Sequence, residues 1–211
     1  MEVYNSEQAQ IEAIKAWWDK HGKLVIVGII ALLVGVFGWR NWQDRQLSMA
    51  DTASLAYFQM VEMAERDPQG AMTIGRHIVG EYSSTAYAPM ASMMLARLAV
   101  EQGDYDSAEA HLHTVAQQRR HPELRVLAGL RLAQLLLSQQ RYEQALAQLP
   151  TEAGAFQAAS DELRGDILAA QGQAEQAIAA YRRALTGLAA QPERSALVNI
   201  KLADLGGSVE E

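Results

Sequence analysis

Cysteine is absent from this chain. That excludes disulfides and thiolate chemistry, and it suits an oxidising compartment. Lysine is scarce and unevenly placed. Three of the four lysines, Lys15, Lys20 and Lys23, lie before residue 24, and the fourth is Lys201. No HExxH pattern and no phosphate-cradling glycine loop occurs. Proline and glycine are both missing between Arg40 and Pro68, so nothing there breaks a helix. Positive charge is short overall. Residues 1–40 carry four basic and four acidic side chains, and residues 41–211 carry fourteen and twenty-one, so the later part holds all of the net charge of −7. An acidic domain is a poor match for a phosphate backbone, which disfavours nucleic acid as a partner.

The stretch Leu24 to Trp39, LVIVGIIALLVGVFGW, is sixteen residues without charge, Pro, Asn or Gln. As a helix it is about 24 Å long, against a hydrocarbon core of about 30 Å. Lys23 and Arg40 make up the shortfall by burying their stems and lifting their charges to the headgroups. Trp17 and Trp18 on one side and Trp39 and Trp42 on the other form interfacial belts. These brackets speak against a buried core helix. About 23 residues precede the run, and aromatic and basic residues follow a Val36-x-Gly38 site at once, so an uncleaved anchor fits better than a cleaved signal. The expected organisation is a cytoplasmic tail at 1–22, a transmembrane helix at 23–42 and a periplasmic domain at 43–211. The excess of lysine before the span places the N-terminus in the cytoplasm.

Within the span, Gly28, Ala31, Gly35 and Gly38 share one helical face. Small residues let a second helix approach closely. The alternative is the ordinary tolerance of membrane helices for glycine. The tail carries Ile11, Ile14 and Trp18 at helical spacing. It reads equally as a surface helix touching membrane or partner and as a solvated lead-in.

From residue 89 onward the sequence repeats. Gly103-Asp104-Tyr105-Asp106-Ser107-Ala108 leads to Leu112, Gln140-Arg141-Tyr142-Glu143-Gln144-Ala145 to Leu149, and Gly172-Gln173-Ala174-Glu175-Gln176-Ala177 to Tyr181. Each window has a turn residue, an alanine five positions on and a large apolar side chain nine on. Helical segments Pro89–Gln102, Glu123–Gln139 and Ala158–Gln171 precede the windows. This is the spacing of the tetratricopeptide repeat (TPR), a helix–turn–helix unit that stacks because one pair cannot bury its own apolar face. The glycine expected at the consensus position of a repeat's first helix is supplied only in the third repeat, by Gly165. Pro192 to Leu205 reads as a terminal capping helix, followed by Gly206-Gly207-Ser208 and an acidic tail. The expected fold class is therefore all-α, with one N-terminal transmembrane helix followed by a TPR-like α-solenoid.

Catalytic, metal and cofactor sites are not expected. The five histidines do not cluster: His111 and His113 point about 200° apart on a helix. Ser83-Ser84-Thr85 reads as a helix-capping cluster, and Asp161-Glu162 as carboxylates favouring a helix start. Binding remains. The first helices of the repeats would present Met90, Met93 and Arg97, then Leu130 and Gln134, then Glu162 and Asp166 on a concave face suited to an extended peptide. Methionines adapt to varied shapes, although for any one of Met90, Met93 and Met94 a place in the core is the more common outcome.

The tail MEVYNSEQAQIEAIKAWW, the HGK and GWRNW brackets of the span, SLAYFQMV, DELRGDILAAQGQAEQAIAAYRRAL and VNIKLADL together resemble the YfgM-like family of ancillary SecYEG translocon subunits. The resemblance extends over nearly the full chain, with GWRNW and LRGD at Leu163–Asp166 its more specific parts. It implies a single-span inner-membrane protein with a periplasmic TPR-like domain. It further implies association with SecYEG and the prolyl isomerase PpiD, hand-over of nascent secretory proteins to periplasmic chaperones, and a tail linked to the stress regulator RcsB. It carries no catalytic motif. The alternative is a membrane-tethered TPR scaffold for envelope assembly or stress signalling.

Overall fold

A computed structural model describes residues 3–207, with side chains from residue 11 except residue 13. The acidic tail expected after Gly207 lies outside the described residues, as does the start of the N-terminal tail. The described residues form α-helices joined by short turns, with no strand. The chain divides into two compact units, Met1–Asp51 and Thr52–Glu211.

The first unit is helical from Val3 as part of α1, which runs to Met63. The helix runs on past Arg40 without a break, as the absence of Pro and Gly there suggests, and ends five residues before Pro68. Its apolar segment is long enough to cross a membrane, with a mean hydropathy of 2.2 over its most apolar window. Leu24, Val27, Phe37 and Trp39 are all exposed. A side chain added at Gly28, Gly35 or Gly38 would meet nothing within 4 Å. A helix so apolar and so little covered by its own protein is a candidate membrane span.

The second unit contains the end of α1 and eight further helices: α2 (Pro68–Glu81), α3 (Tyr87–Glu101), α4 (Tyr105–Ala116), α5 (Pro122–Ser138), α6 (Tyr142–Gln148), α7 (Gln157–Ala170), α8 (Ala174–Gly187) and α9 (Pro192–Asp204). Their starts are written in the sequence. Asp67 and Asp104 cap α2 and α4 by accepting from the backbone N–H groups of Gly70 and Ser107, at 2.9 and 3.1 Å. The bond from Ser107 holds the Asp104 carboxyl below its ordinary value. Proline opens α2, α5 and α9, where its missing N–H costs nothing. Helix α6 stops early because Leu149 precedes Pro150 and is driven to extended backbone, φ −67° and ψ 126°.

The helices pair as α3/α4, α5/α6 and α7/α8, the three expected repeats. Ala108, Ala145 and Ala177 are fully buried, and Leu112, Leu149 and Tyr181 fill the space one turn later. At the other helix of each pair, Ala96 and Ala133 are small and buried, in the position that Gly165 holds in the third. Polar links join successive repeats: Arg141 binds Glu109, and Gln171 donates to Glu143 at 2.8 Å. Ahead of the first repeat, Met60 of α1 packs with Ala71 and Ile78 of α2 and Leu95 and Leu98 of α3.

The turn between the helices of each pair has one conformation. Gly103, Gln140 and Gly172 all have positive φ, at 76°, 60° and 75°. In each, the following N–H reaches back to a carbonyl five residues earlier: Asp104 to Ala99, Arg141 to Leu136 and Gln173 to Leu168, all at 2.9 Å. This is the Schellman closure of a helix, in which glycine avoids the Cβ penalty. Gln140 bears that penalty. Gln140→Gly is therefore expected to stabilise the protein by about 0.5–1 kcal/mol, since relief of about 1–2 kcal/mol of left-handed strain exceeds the entropy glycine adds to the unfolded chain. Thermal denaturation of the two proteins checks the sign.

Candidate functional site

Helices α3 and α5 lie side by side on one face of the array, and two adjoining cavities open between them. The larger, about 540 Å³, is lined by Met93, Ala96, Arg97 and Val100 of α3, Leu112 of α4, and Arg131, Gln134 and Leu135 of α5, with Glu101 and Ser138 at its margin. The smaller, about 240 Å³, is bounded by Tyr57, Met90, Met94 and Leu127 and shares Met93, Arg97 and Arg131 with the first. The result is a groove with an apolar floor and two guanidinium groups.

The groove is built by helical spacing. On α5, Leu127, Arg131, Gln134 and Ser138 advance by four, three and four, which keeps them on one face. On α3, Met90, Met93, Arg97 and Val100 do the same. Arg97 Nε donates to Glu101 Oε1 at 2.8 Å, a half-exposed pair whose hydrogen bond and charge hold the guanidinium above its ordinary value. Arg131 is exposed and makes no hydrogen bond or ion pair to any described group. The groove can hold an extended chain of apolar character, and its arginines can bind backbone carbonyls or an acidic side chain.

Of the residues expected on the concave face, Met90, Met93, Arg97 and Gln134 line this groove. Met93, only 5 % exposed, is also part of the core, and Leu130 at 6 % lies wholly within it. Glu162 and Asp166 are elsewhere. Helix α9 lies against α7, and Lys201 Nζ donates to Glu162 Oε1 at 2.8 Å and to Asp166 Oδ2 at 2.9 Å. Arg194 reaches Glu162 at 3.3 Å, and the Tyr181 hydroxyl donates to Asp166 at 2.8 Å. Burial and then the Asp166 bond push the Tyr181 hydroxyl above its ordinary value. Burial works against the Lys201 charge, but its bonds to Asp166 and Glu162 outweigh it and raise the ammonium overall. The third repeat's carboxylates therefore fasten the terminal helix. Arg131 and Leu127 of α5 are among the groove residues that sequence reasoning passed over, with Tyr57 and Val100. The spacing 127, 131, 134, 138 would have found those on α5.

Elsewhere, Ser92 and His111 approach at 3.4 Å, but the same hydroxyl donates to the His111 carbonyl at 3.3 Å. Burial, reinforced by Arg76, holds the His111 imidazole below its ordinary value. Among the described residues, no three His, Asp or Glu side chains converge as metal ligands.

The profile of the tetratricopeptide repeat-like domain matches residues 15–207, across the candidate span and the array. An ancillary SecYEG translocon subunit from Aggregatibacter actinomycetemcomitans is 30 % identical over 94 % of this chain and 97 % of its own. One from Haemophilus influenzae is 33 % identical over 79 % and 82 %. This chain belongs to the ancillary SecYEG translocon subunit family. A further family member, from Escherichia coli, is 30 % identical over 86 % of the chain and 88 % of its own length. Among solved structures, a MamA fragment from Desulfovibrio magneticus RS-1 superposes with a TM-score of 0.52 at 22 % identity, over 75 % of this chain and 89 % of that one, a likeness of fold alone.

Proposed function

We propose that this chain is a non-enzymatic, membrane-anchored adaptor of the Sec translocon. Its TPR-like array stands on the outer side of the inner membrane and offers weak, apolar contacts to newly translocated chains before chaperones such as PpiD take them. The observation that carries this reading is similarity to translocon subunits that runs without a break through both the candidate span and the array. A translocon-side protein needs both parts: an anchor that holds it beside the channel and a surface that grips loosely. Tethering raises local concentration enough for weak binding to be useful. In this reading the N-terminus is cytoplasmic, residues 23–42 span the membrane, and the face of Gly28, Ala31, Gly35 and Gly38 docks against a partner helix. The groove of Met90, Met93, Arg97, Arg131 and Gln134 receives the client.

Photocrosslinking residues placed singly at Gly35 and Arg131 of the full chain, in native membranes, test it. Position 35 is expected to capture translocon subunits, and position 131 nascent secretory chains. Self-contacts from both positions would instead assign the protein to the scaffold class. The double variant Arg97→Ala/Arg131→Ala is expected to weaken binding of an unfolded apolar peptide about five- to tenfold by loss of charge-assisted bonds. Titration of the full chain in detergent measures it, and unchanged affinity removes the groove from the mechanism.

A further inference from the structure

The two cavities of the groove share three lining residues, Met93, Arg97 and Arg131, which mark their junction. Beyond the junction one cavity has the apolar surface of Ala96, Leu112 and Leu135. The other has that of Met90, Met94 and Leu127. A ligand that fills both is therefore apolar on either side of the junction, with two guanidinium groups facing its middle.

The two arginines are not equivalent. Arg97 is already engaged: its Nε donates to Glu101 at 2.8 Å, and Glu65 adds to the negative field around it. Arg131 is exposed and makes no hydrogen bond or ion pair to any described group. Exposed arginines without a carboxylate partner occur elsewhere, Arg66 among them. Arg131 differs in its place, where two apolar surfaces meet. The charged lining of the groove is Arg97, Arg131 and Glu101, which leaves it net positive. It is set in a domain whose residues 41–211 carry twenty-one acidic side chains against fourteen basic ones. Like charge disfavours an acidic segment on such a surface, and a positive groove offers it one place to bind.

On the reading that this groove receives the client, we infer that it selects apolar segments interrupted by one Asp or Glu, and that Arg131 is the side chain that reads the carboxylate. A guanidinium presents paired N–H donors that match the two oxygens of a carboxylate, and Arg131 has all of its donors free. A segment with Lys or Arg at the same place is disfavoured. It meets the like charge of Arg131, and Glu101, the carboxylate of the lining, is held by Arg97. The carboxylate belongs to a side chain within the segment rather than to a chain end. A chain that ended at the junction would leave one of the two apolar surfaces uncovered.

Peptides of one apolar sequence, acetylated and amidated at their ends, test this with Glu, Gln or Lys at the central position. A further peptide has Gln at the centre and a free C-terminal carboxylate. Each is labelled and titrated by fluorescence anisotropy into the full chain in maltoside micelles. The readout is the ratio of two peptides' affinities within one protein. Partition into micelles is the same for wild type and variant, so it drops out when their ratios are compared. Wild type is expected to bind the Glu peptide about three- to fivefold more tightly than the Gln peptide, at the upper end for an exposed ion pair, and the Lys peptide most weakly. The preference should shrink as salt is added. It should vanish in Arg131→Gln and turn in favour of the Lys peptide in Arg131→Glu. Equal binding of the Glu, Gln and Lys peptides leaves the groove as a client site and overturns the acidic preference. A preference that survives Arg131→Gln, or an equal advantage for the peptide with the free C-terminus, also overturns it. Binding of none of the peptides removes the groove from the mechanism and the inference with it.

Discussion

Replacing Gly165 with leucine is expected to destabilise the array by about 3 kcal/mol or more, at the upper end of overpacking costs. A Cβ at this position would sit closer than 3.0 Å to three atoms of the Tyr181 ring. That ring is 3 % exposed and anchored by its hydroxyl on Asp166, so it has no free direction in which to move. Leucine is otherwise the better helix former by somewhat under 1 kcal/mol, so propensity alone predicts the opposite sign. The measurement is thermal unfolding, where a loss of this size lowers Tm by roughly 6–12 °C in a domain of this length. A double-mutant cycle with Gly165→Ala and Tyr181→Ala isolates the cause. The cost of Gly165→Ala should disappear, and turn into the small gain expected of alanine in a helix, once the ring is gone. If it persists without the ring, the close approach is not the reason for glycine here.

The second large effect concerns the terminal helix. Lys201→Ala is expected to cost about 2 kcal/mol, below the 3–5 kcal/mol of a fully buried pair because the ammonium is 27 % exposed and partly screened. The loss arises mainly on the other side. Glu162 and Asp166, 15 % and 28 % exposed, are left close together without their shared cation. Lys201→Met, which keeps the stem, separates charge from packing and should recover only the packing part. Linkage adds a pH signature. The folded-state pKa of Lys201 is raised, so its contribution is complete below the unfolded value of about 10.5 and fades as pH rises through the folded value. The stability difference between wild type and Lys201→Ala should therefore be flat across neutral pH and shrink only in strong alkali. Hydrogen exchange in α9 reads the same event locally, with faster exchange of Val198 and Leu202 in the variant.

The pairing of helices was legible because it rests on local rules. Alanine at 108, 145 and 177, with a large apolar residue four positions later, states which helix face is pressed against its neighbour. The turn residues at 103, 140 and 172 state where the chain reverses. The candidate span was legible for a similar reason: hydrophobicity, length and aromatic brackets are all local quantities. The groove was half legible. Helical spacing named Met90, Met93, Arg97 and Gln134, but it placed Leu130 one position too deep and gave no reason to prefer Arg131. A face is about 100° wide, and which edge of it opens to solvent depends on where α3 and α4 lie against α5.

Residues 162 and 166 make the same point more sharply. By register they belong to a concave face, and their charge suits recognition of a cation on a partner. The cation they meet is Lys201 of this chain, 39 and 35 residues later. No spacing rule links such distant positions, because the link is made only when α9 packs on α8 and lies against α7.

The sequence alone determined that this protein is a helical array behind one apolar helix, because helix formation, capping and membrane compatibility depend on near neighbours. The tertiary structure decided which part of the concave face is open, what occupies the rest, and that two turns 36 residues apart are joined by the bond from Arg120 to the Ser84 carbonyl. Those outcomes depend on how helices stack, and stacking is set by the sum of many small contacts across the repeats rather than by any one stretch of the chain.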